Sequence, residues 1–314
     1  MNKNLKILII GFGSIGARHF KNLESLGYTN VYVYDSLPEK IKDKKLKIEN
    51  LDKKNLEGLD VAFICNPNHK HVETAIKCAE AGLHLFIEKP LSHNLKGINK
   101  LQKIVEKKKL VNMVACNMRF FESLQVIKNF LSEQKLGRVY SINLQFGQYL
   151  PFWRPGTDYR QNYAAKKEMG GGIVLDDIHE FDLLFWLNDF SLVKKSCLFK
   201  NHASDLEIET EDQSKAIFEF ENGVLGSVFS DYLSKSYNRE CLIIGEKGNL
   251  RWDWNDRKVM FESENGIEVF FEKDQIDANQ MYVEEIKYFL ECVEEKTETF
   301  SGIKRARMVL KHLV

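Results

Sequence analysis

LKILIIGFGSIGARHFKNLESLG, running from Leu5 to Gly27, sets three signals in a fixed order. The run LKILII has strand length and no polar alternation, as a strand covered on both faces requires. GFGSIG follows without a spacer, and then Ile15, Phe20, Leu23 and Leu26 recur at helical spacing up to Gly27, a suitable C-cap. A strand that turns on glycines straight into a helix opens a βαβ unit. Gly11 permits the tight turn, Gly13 lets backbone approach a pyrophosphate, and Gly16 lets helix and strand pack closely. The helix N-terminus at Ser14 and Ile15 offers amide donors and the positive end of the helix dipole. The next β-rich run, VYVY, ends at Asp35, about twenty residues past the glycines, where a carboxylate accepts hydrogen bonds from an adenine ribose and repels a 2′-phosphate. This favours NAD, with NADP not excluded. Asp35 equally suits the start of a turn or a helix cap.

The alternation continues outward. Val61 to Cys65 reads as a buried strand, HVETAIKCAEAG as a helix capped by Gly82, and LHLFI as a strand ending at Glu88, Lys89 and Pro90. Leu95 to Lys108 reads as a helix and LVNMVA as a further strand. Strands and helices alternating at this spacing imply right-handed crossovers and a doubly wound parallel sheet of Rossmann type. After that the pattern changes. Phe121 to Ser132 is helical, Val139 to Phe146 alternates like a strand, and the loop YLPFWRPGTDYR leads to a glycine-started helix, GGGIVLDDIHEFD, Gly170 to Asp182. From Ser191 to Phe271 strands are joined by turn signals such as Asn222-Gly223 and Asn265-Gly266, and two helices near Ala278 to Glu294 and Gly302 to Leu313 close the chain. The expectation is α/β: a dinucleotide-binding domain over residues 1–118, and an α+β domain over residues 119–314 with a large, mostly antiparallel sheet. The final helices are free to pack back on the first domain.

Composition narrows the class. At 314 residues the chain exceeds what one core usually holds, and its 45 basic residues balance 45 acidic ones, so no overall field favours nucleic acid or an anionic membrane. A small molecule is the expected partner. Six cysteines lie far apart without a C-x-x-C pair, which argues against a disulfide framework and a thiolate zinc site and suits a reducing cytoplasm. No stretch approaches the roughly eighteen apolar residues of a membrane span, and the N-terminal apolar run is too short for a signal peptide. A cytoplasmic protein is the default expectation. The lysine-dense segment from Lys40 to Lys54 reads as solvated surface.

Several segments together resemble the Gfo/Idh/MocA oxidoreductase family, named for glucose-fructose oxidoreductase and inositol dehydrogenase. They are GFGSIGARH, CNPNHKHVETAIKCAEAGLHLFIEKP, MRF, GGGIVLDDIHEFD, ENGVLGSV and GEKGNL, in chain order. GSIGARHFKNL with YLPFWRPGTDYR is similar to a subgroup of bacterial sugar and surface-glycan metabolism. The resemblance implies a nicotinamide cofactor in the first domain, a substrate between that domain and the sheet domain, and homodimers or homotetramers built on the open sheet face. It also implies that Lys89 is a catalytic or substrate-orienting lysine, and that Asn66, Pro67, His71 and Glu88 lie beside the cofactor. His179 is implied as the second catalytic residue, with Asp176 and Asp182 nearby. His179 follows Asp176 by three residues where many members have four, which leaves open whether Asp176 or Asp177 faces the substrate.

Chemistry supports the same residues. Oxidising an alcohol moves a hydride to nicotinamide and must also remove the hydroxyl proton, so a base has to stand near the reacting carbon. Lys89 ends a parallel strand, where ligands bind in open α/β sheets, and partial desolvation there would lower its pKa; the alternative is a strand-end lysine paired with Glu88. On one continuous helix Asp176, His179 and Asp182 fall within an arc of about 120°. Leu175 and Trp186 share that arc, and Val174, Ile178, Phe181 and Phe185 fill the other side, so the helix is buried and its ionisable residues need partners. Either a polar substrate supplies them, or an internal network with backbone and arginines does. Gly170 to Gly172 let backbone approach at the helix start. Arg154, Tyr159 and Arg160, with Trp153, suit an anionic or sugar ligand and equally a packing loop. Arg119 suits either substrate contact or a tie between domains. No metal is expected: no H-E-x-x-H pattern exists, and the rings of His69 and His71 point apart on a helix.

These readings converge on an NAD(P)-dependent dehydrogenase acting on a sugar, cyclitol or sugar-nucleotide hydroxyl, with Lys89, His179 and Asp176 as catalytic residues. The alternatives are a sugar lyase or glycosidase that uses NAD transiently, and a non-catalytic dinucleotide-sensing subunit.

Overall fold

The computed structural model describes residues 2–37, 39, 41 and 47–314; part of the lysine-dense segment lies outside them. Two compact units are separable, one of Met1–Asn117 with Tyr282–His312 and Val314, the other of Met118–Met281 with Leu313.

The first unit is built on five parallel strands, β1 (Ile7–Ile10), β2 (Val31–Tyr34), β3 (Val61–Ile64), β4 (His84–Glu88) and β5 (Asn112–Ala115), in the order β2-β1-β3-β4-β5. Every residue of β1 and β3 is buried, which is why ILII and VAFI carry no polar alternation. The crossovers are α1 (Ser14–Ser25), the short α2 (Lys53–Leu56), α3 (His71–Ala81) and α4 (Ile98–Lys108). The last starts later than the apolar spacing suggested, because Gly97 takes a left-handed conformation at its N-cap. At the β5 edge the chain from Thr299 to Ile303 blunts what would be an open strand. Ser301 Oγ donates to the Val114 carbonyl at 2.6 Å, and the Val114 amide donates to the Ser301 carbonyl at 2.7 Å.

In the second unit α5 (Glu122–Ser132) and β6 (Val139–Gly147) precede α6 (Ile173–Asp176) and α7 (Ile178–Leu187). Seven strands follow: β7 (Val193–Asn201), β8 (Gln213–Phe220), β9 (Leu225–Asp231), β10 (Asn238–Gly245), β11 (Gly248–Asp253), β12 (Lys258–Ser263) and β13 (Gly266–Glu272). The eight strands form one sheet, ordered β13-β12-β11-β10-β6-β9-β8-β7, antiparallel throughout except that β6 and β9 run parallel at its centre. Inward positions such as Ile142, Leu144, Ala216, Phe218, Val228 and Ile243 are buried, and α6 and α7 pack on the central strands from that side. The alternate positions, Cys197, Ile217, Ser227, Asn143 and Leu242, align across neighbouring strands on the opposite face. Helix α8 (Gln280–Glu295) begins at the end of the second unit, and α9 (Ile303–Leu310) belongs to the first. Among the described residues no helix is long and apolar enough to cross a membrane.

Candidate active site

At the carboxyl ends of the first unit's strands, each motif glycine is explained by what a side chain would strike. A Cβ on Gly11, whose φ is +96°, would lie 2.6 Å from the Asn66 amide nitrogen, and one on Gly16 would lie 2.0 Å from the Gly11 carbonyl oxygen. Gly13 has nothing within 4 Å of such an atom. The turn therefore packs tightly against β3 on one side and is open on the other, where Gly13 and Ser14 are exposed and α1 begins without a side-chain cap. Ile15 beside them is half-buried. Asp35 fastens this turn, its carboxylate accepting from the Phe12 amide at 2.6 Å and the Leu37 amide at 2.8 Å. It thus serves as a turn residue at the end of β2. An amide-lined opening, a glycine with room for phosphate, and a carboxylate at the end of β2 fit a dinucleotide.

Behind this edge lie two residues expected to face the cofactor. His71 is buried, with Nδ1 2.8 Å from the Pro90 carbonyl and Nε2 2.7 Å from the Asn66 carbonyl, so it ties two loops together and is closed off from any ligand. Burial lowers its pKa, with the two carbonyls and Glu88 pulling the other way. Glu88 is buried too, 2.6 Å from Nε2 of His19, which rises from α1 and packs its ring edgewise on Phe86. The resemblance sets both beside the cofactor; in the structure their polar atoms are taken up by protein, His71 by two backbone carbonyls and Glu88 by His19. Asn66 donates its side-chain amide to Thr74 at 2.8 Å, and Pro67 is exposed beside it. Lys89 is half-buried, one residue past the sealed Glu88. His19, standing in the quoted GFGSIGARH, was the missed member of this group.

In the second unit the expected single helix breaks. Asp177 takes φ −98° and ψ 32°, so α6 ends at Asp176 and α7 restarts at Ile178. From Gly172 to Asn188 every residue is buried except His179, which is half-buried. The carboxylates around it are all engaged. Asp176 accepts hydroxyl hydrogen bonds from Tyr163 and, at 3.0 Å, from Tyr232. Burial, with Asp176 alongside, raises the Tyr232 pKa well above that of an ordinary phenol, so it remains a neutral donor. Asp182 is gripped by both forks of Arg119 at 2.6 Å, and Arg119 is fully buried with Phe190 under its guanidinium. Asp177 and Glu180 share Arg239. The internal network is therefore the right reading for Asp177, Glu180 and Asp182. Arg119, expected at the substrate or between domains, instead makes a bidentate pair with Asp182 and is fully buried.

The glycine run also has an internal purpose. A Cβ on Gly171 would lie 2.3 Å from the Tyr163 carbonyl, and one on Gly172, at φ +103°, would lie 2.5 Å from the Glu211 carboxylate. The close approach is that of the Tyr163 loop, which delivers its hydroxyl to Asp176. Over Tyr163 lies the exposed Arg154 guanidinium, 5.6 Å from the ring centre. Arg160 is held by Asp158 at 2.9 Å and Glu207 at 3.1 Å, and Tyr159 accepts from the Glu207 amide, so these two brace their loop. Tyr163, Tyr232, Ser230 and Arg239 were not found from sequence. Only Tyr163 had a nearby signal, seven residues ahead of the glycines. Among the described residues no group of three or more His, Cys, Asp or Glu side chains is placed to hold a metal ion.

The model of the oxidoreductase family with an NAD-binding Rossmann fold matches residues 5–116, and the GFO/IDH/MocA C-terminal domain model matches residues 124–251. This chain is a Gfo/Idh/MocA oxidoreductase. The oxidoreductase is 25% identical over 308 residues to myo-inositol 2-dehydrogenase of Thermotoga maritima, covering 92% of this chain and 88% of that protein. It is 27% identical over 243 residues to levoglucosan dehydrogenase of Pseudarthrobacter phenanthrenivorans, covering 70% of this chain and 60% of that one. A solved levoglucosan dehydrogenase in complex with NADH and levoglucosan shares the fold, with a TM-score of 0.85 at 18% identity over 98% of this chain and 95% of the other. The cofactor of this Gfo/Idh/MocA oxidoreductase is NAD.

Proposed function

We propose that this oxidoreductase transfers a hydride between NAD and the hydroxyl-bearing carbon of a sugar, cyclitol or sugar nucleotide. The observation that carries the reading is His179, the one residue from Gly172 to Asn188 that reaches the surface, on a turn whose carboxylates are each hydrogen-bonded or ion-paired within the protein. NAD supplies the acceptor for the hydride. Lys89 in the first unit and His179 in the second are the groups that hold or move the hydroxyl proton. Asp176, fixed by two tyrosine hydroxyls, accepts from a substrate hydroxyl, and Arg154 with its Tyr163 platform binds the sugar ring or an acidic substituent. Asp35 favours NAD over NADP by repelling a 2′-phosphate. The relatives named for myo-inositol and levoglucosan support a polyhydroxylated ring as the substrate class. The open face of the large sheet, with Phe199, Ile217 and Leu225 exposed, is the surface we assign to a homo-oligomer.

The test is a panel of free and nucleotide-linked sugars and cyclitols with NAD or NADP, followed by reduced-nicotinamide absorbance. Turnover with at least one polyol and NAD is expected. In Lys89→Ala the rate falls ~1000-fold, about 4 kcal/mol of transition-state stabilisation, while the NAD Kd stays within about twofold. Normal turnover by that variant would refute the role given to Lys89.

A further inference from the structure

The turn that carries His179 stands on a buried cluster whose charges do not balance by themselves. Asp177 and Glu180 are 1% and 0% exposed, and the cation between them is Arg239 of β10. Arg239 Nη2 donates to Asp177 at 3.1 Å and to Glu180 at 3.0 Å, while its Nε lies 2.6 Å from the other Glu180 oxygen. The Arg119 guanidinium, the other buried cation of this unit, is taken up by Asp182. Neutral donors and apolar groups also touch the cluster. Ser230 of β9 donates to Asp177 at 2.6 Å, Phe146 of β6 lies 4.6 Å under the guanidinium, and Arg239 Nη1 points at the Met118 sulfur. Tyr237 and Cys241, on either side of Arg239 in sequence, have pKa values raised mainly by burial and remain uncharged.

Two ionised carboxylates against one guanidinium would leave a net negative charge in a fully buried site, at a cost of several kcal/mol. Like charges that share a site resolve this by retaining a proton. The geometry says where. Glu180 receives two contacts from Arg239, whereas Asp177 receives one, the longest of the three, together with a hydroxyl. We propose that Asp177 holds a proton shared with Glu180, so that the Asp177, Glu180 and Arg239 cluster is neutral and positions His179 for its work as a base. Burial raises the Asp177 pKa well above the usual carboxylate range, and the neighbouring Glu180 adds to it. The consequence falls on His179, which lies between them in sequence. With its charges balanced, the cluster anchors the backbone on both sides of His179 to β9 and β10. Arg239 and Asp177 are thus positioning residues, a role that rests on the reading of His179 given above.

Infrared spectroscopy of the full-length enzyme in NAD-containing buffer at neutral pH tests the proton without any substrate. The wild-type minus Asp177→Asn difference spectrum should contain the carbonyl stretch of a protonated carboxylic acid. Glu180→Gln should lose the same band, because Asp177 then pairs alone with Arg239 and ionises. Absence of the band from the first difference, or its survival in Glu180→Gln, overturns the shared proton. Turnover on a substrate from the panel tests positioning. Arg239→Met should lower kcat ~100-fold with the NAD Kd unchanged, as a misplaced catalytic group does, and Arg239→Lys should recover part of the loss. Asp177→Asn, which mimics the neutral acid, should keep the wild-type midpoint in the pH profile of kcat/KM. A displaced midpoint, or kcat within threefold of wild type in a folded Arg239→Met, overturns the role. If Arg239→Met does not fold, Arg239→Lys and Asp177→Asn decide. Because the infrared result needs no substrate, it stands whether or not the sugar-dehydrogenase reading does.

Discussion

Both units of the oxidoreductase bury ionisable side chains beside their candidate catalytic residue, but with different chemistry. Next to Lys89 the buried pair is His19 with Glu88, and next to His179 the pairs are Arg119 with Asp182 and Arg239 with Asp177 and Glu180. A histidine can shed its charge and remain a hydrogen-bonding partner. An arginine cannot, so a carboxylate facing it is held ionised or, where two carboxylates compete, one of them keeps a proton. The first unit thus pairs its buried carboxylate with an imidazole, whereas the second pairs its buried carboxylates with guanidinium groups, and there His179 is the half-buried residue of an otherwise buried segment.

The largest effect expected from breaking this contrast is in the second unit. Arg119→Met leaves Asp182 buried without its cation and should cost about 3–5 kcal/mol in a denaturant titration. His19→Gln, which keeps a donor to Glu88, should cost about 1 kcal/mol. Equal losses would show that the two regions do not differ. The glycine turn sharpens the comparison within the first unit. Gly16→Ala forces a Cβ onto the Gly11 carbonyl and should lower the melting temperature, whereas Gly13→Ala meets no atom and should leave it unchanged. Gly13→Ala should instead weaken NAD binding ~10-fold, about 1.4 kcal/mol, by calorimetry. A Gly13→Ala protein that binds NAD normally would mean that the open side of the turn is not where the pyrophosphate lies.

The smallest effect concerns pH. His84 Nδ1 accepts a hydrogen bond from the Val111 amide at 2.9 Å, which a protonated ring cannot do. Burial lowers the His84 pKa from its ordinary 6.5, so the unfolded chain binds that proton more tightly than the folded one. The stability His84 provides is present above about pH 6.5 and lost as the pH falls through its folded value. Melting temperatures measured from pH 7.5 down to 5 should fall less steeply in His84→Gln, whose carbonyl accepts at every pH. An unchanged slope would assign the acid limb to other groups, His71 first among them.

Legibility in the sequence followed the range of the interactions. The parallel sheet, the glycine turn and the nearness of Asp35 and Asn66 to it were readable because strand burial and turn geometry are set by neighbours a few residues apart. The break at Asp177 was not. Apolar spacing through GGGIVLDDIHEFD fits an unbroken helix, and what interrupts it is the grip of Ser230 and Arg239, 53 and 62 residues away. For the same reason Arg119 looked available for substrate until Asp182, 63 residues on, was seen to occupy it.

By itself the sequence determined the oxidoreductase's cofactor class and its two architectures, since each is written in a local pattern of apolar spacing and glycine placement; the lysine and histidine that merit testing came from the family resemblance. Only the tertiary structure decided which charges serve the fold and which face outward. A carboxylate in a buried segment has no preferred partner until distant strands bring one within 3 Å or so, and burial makes that partnership compulsory.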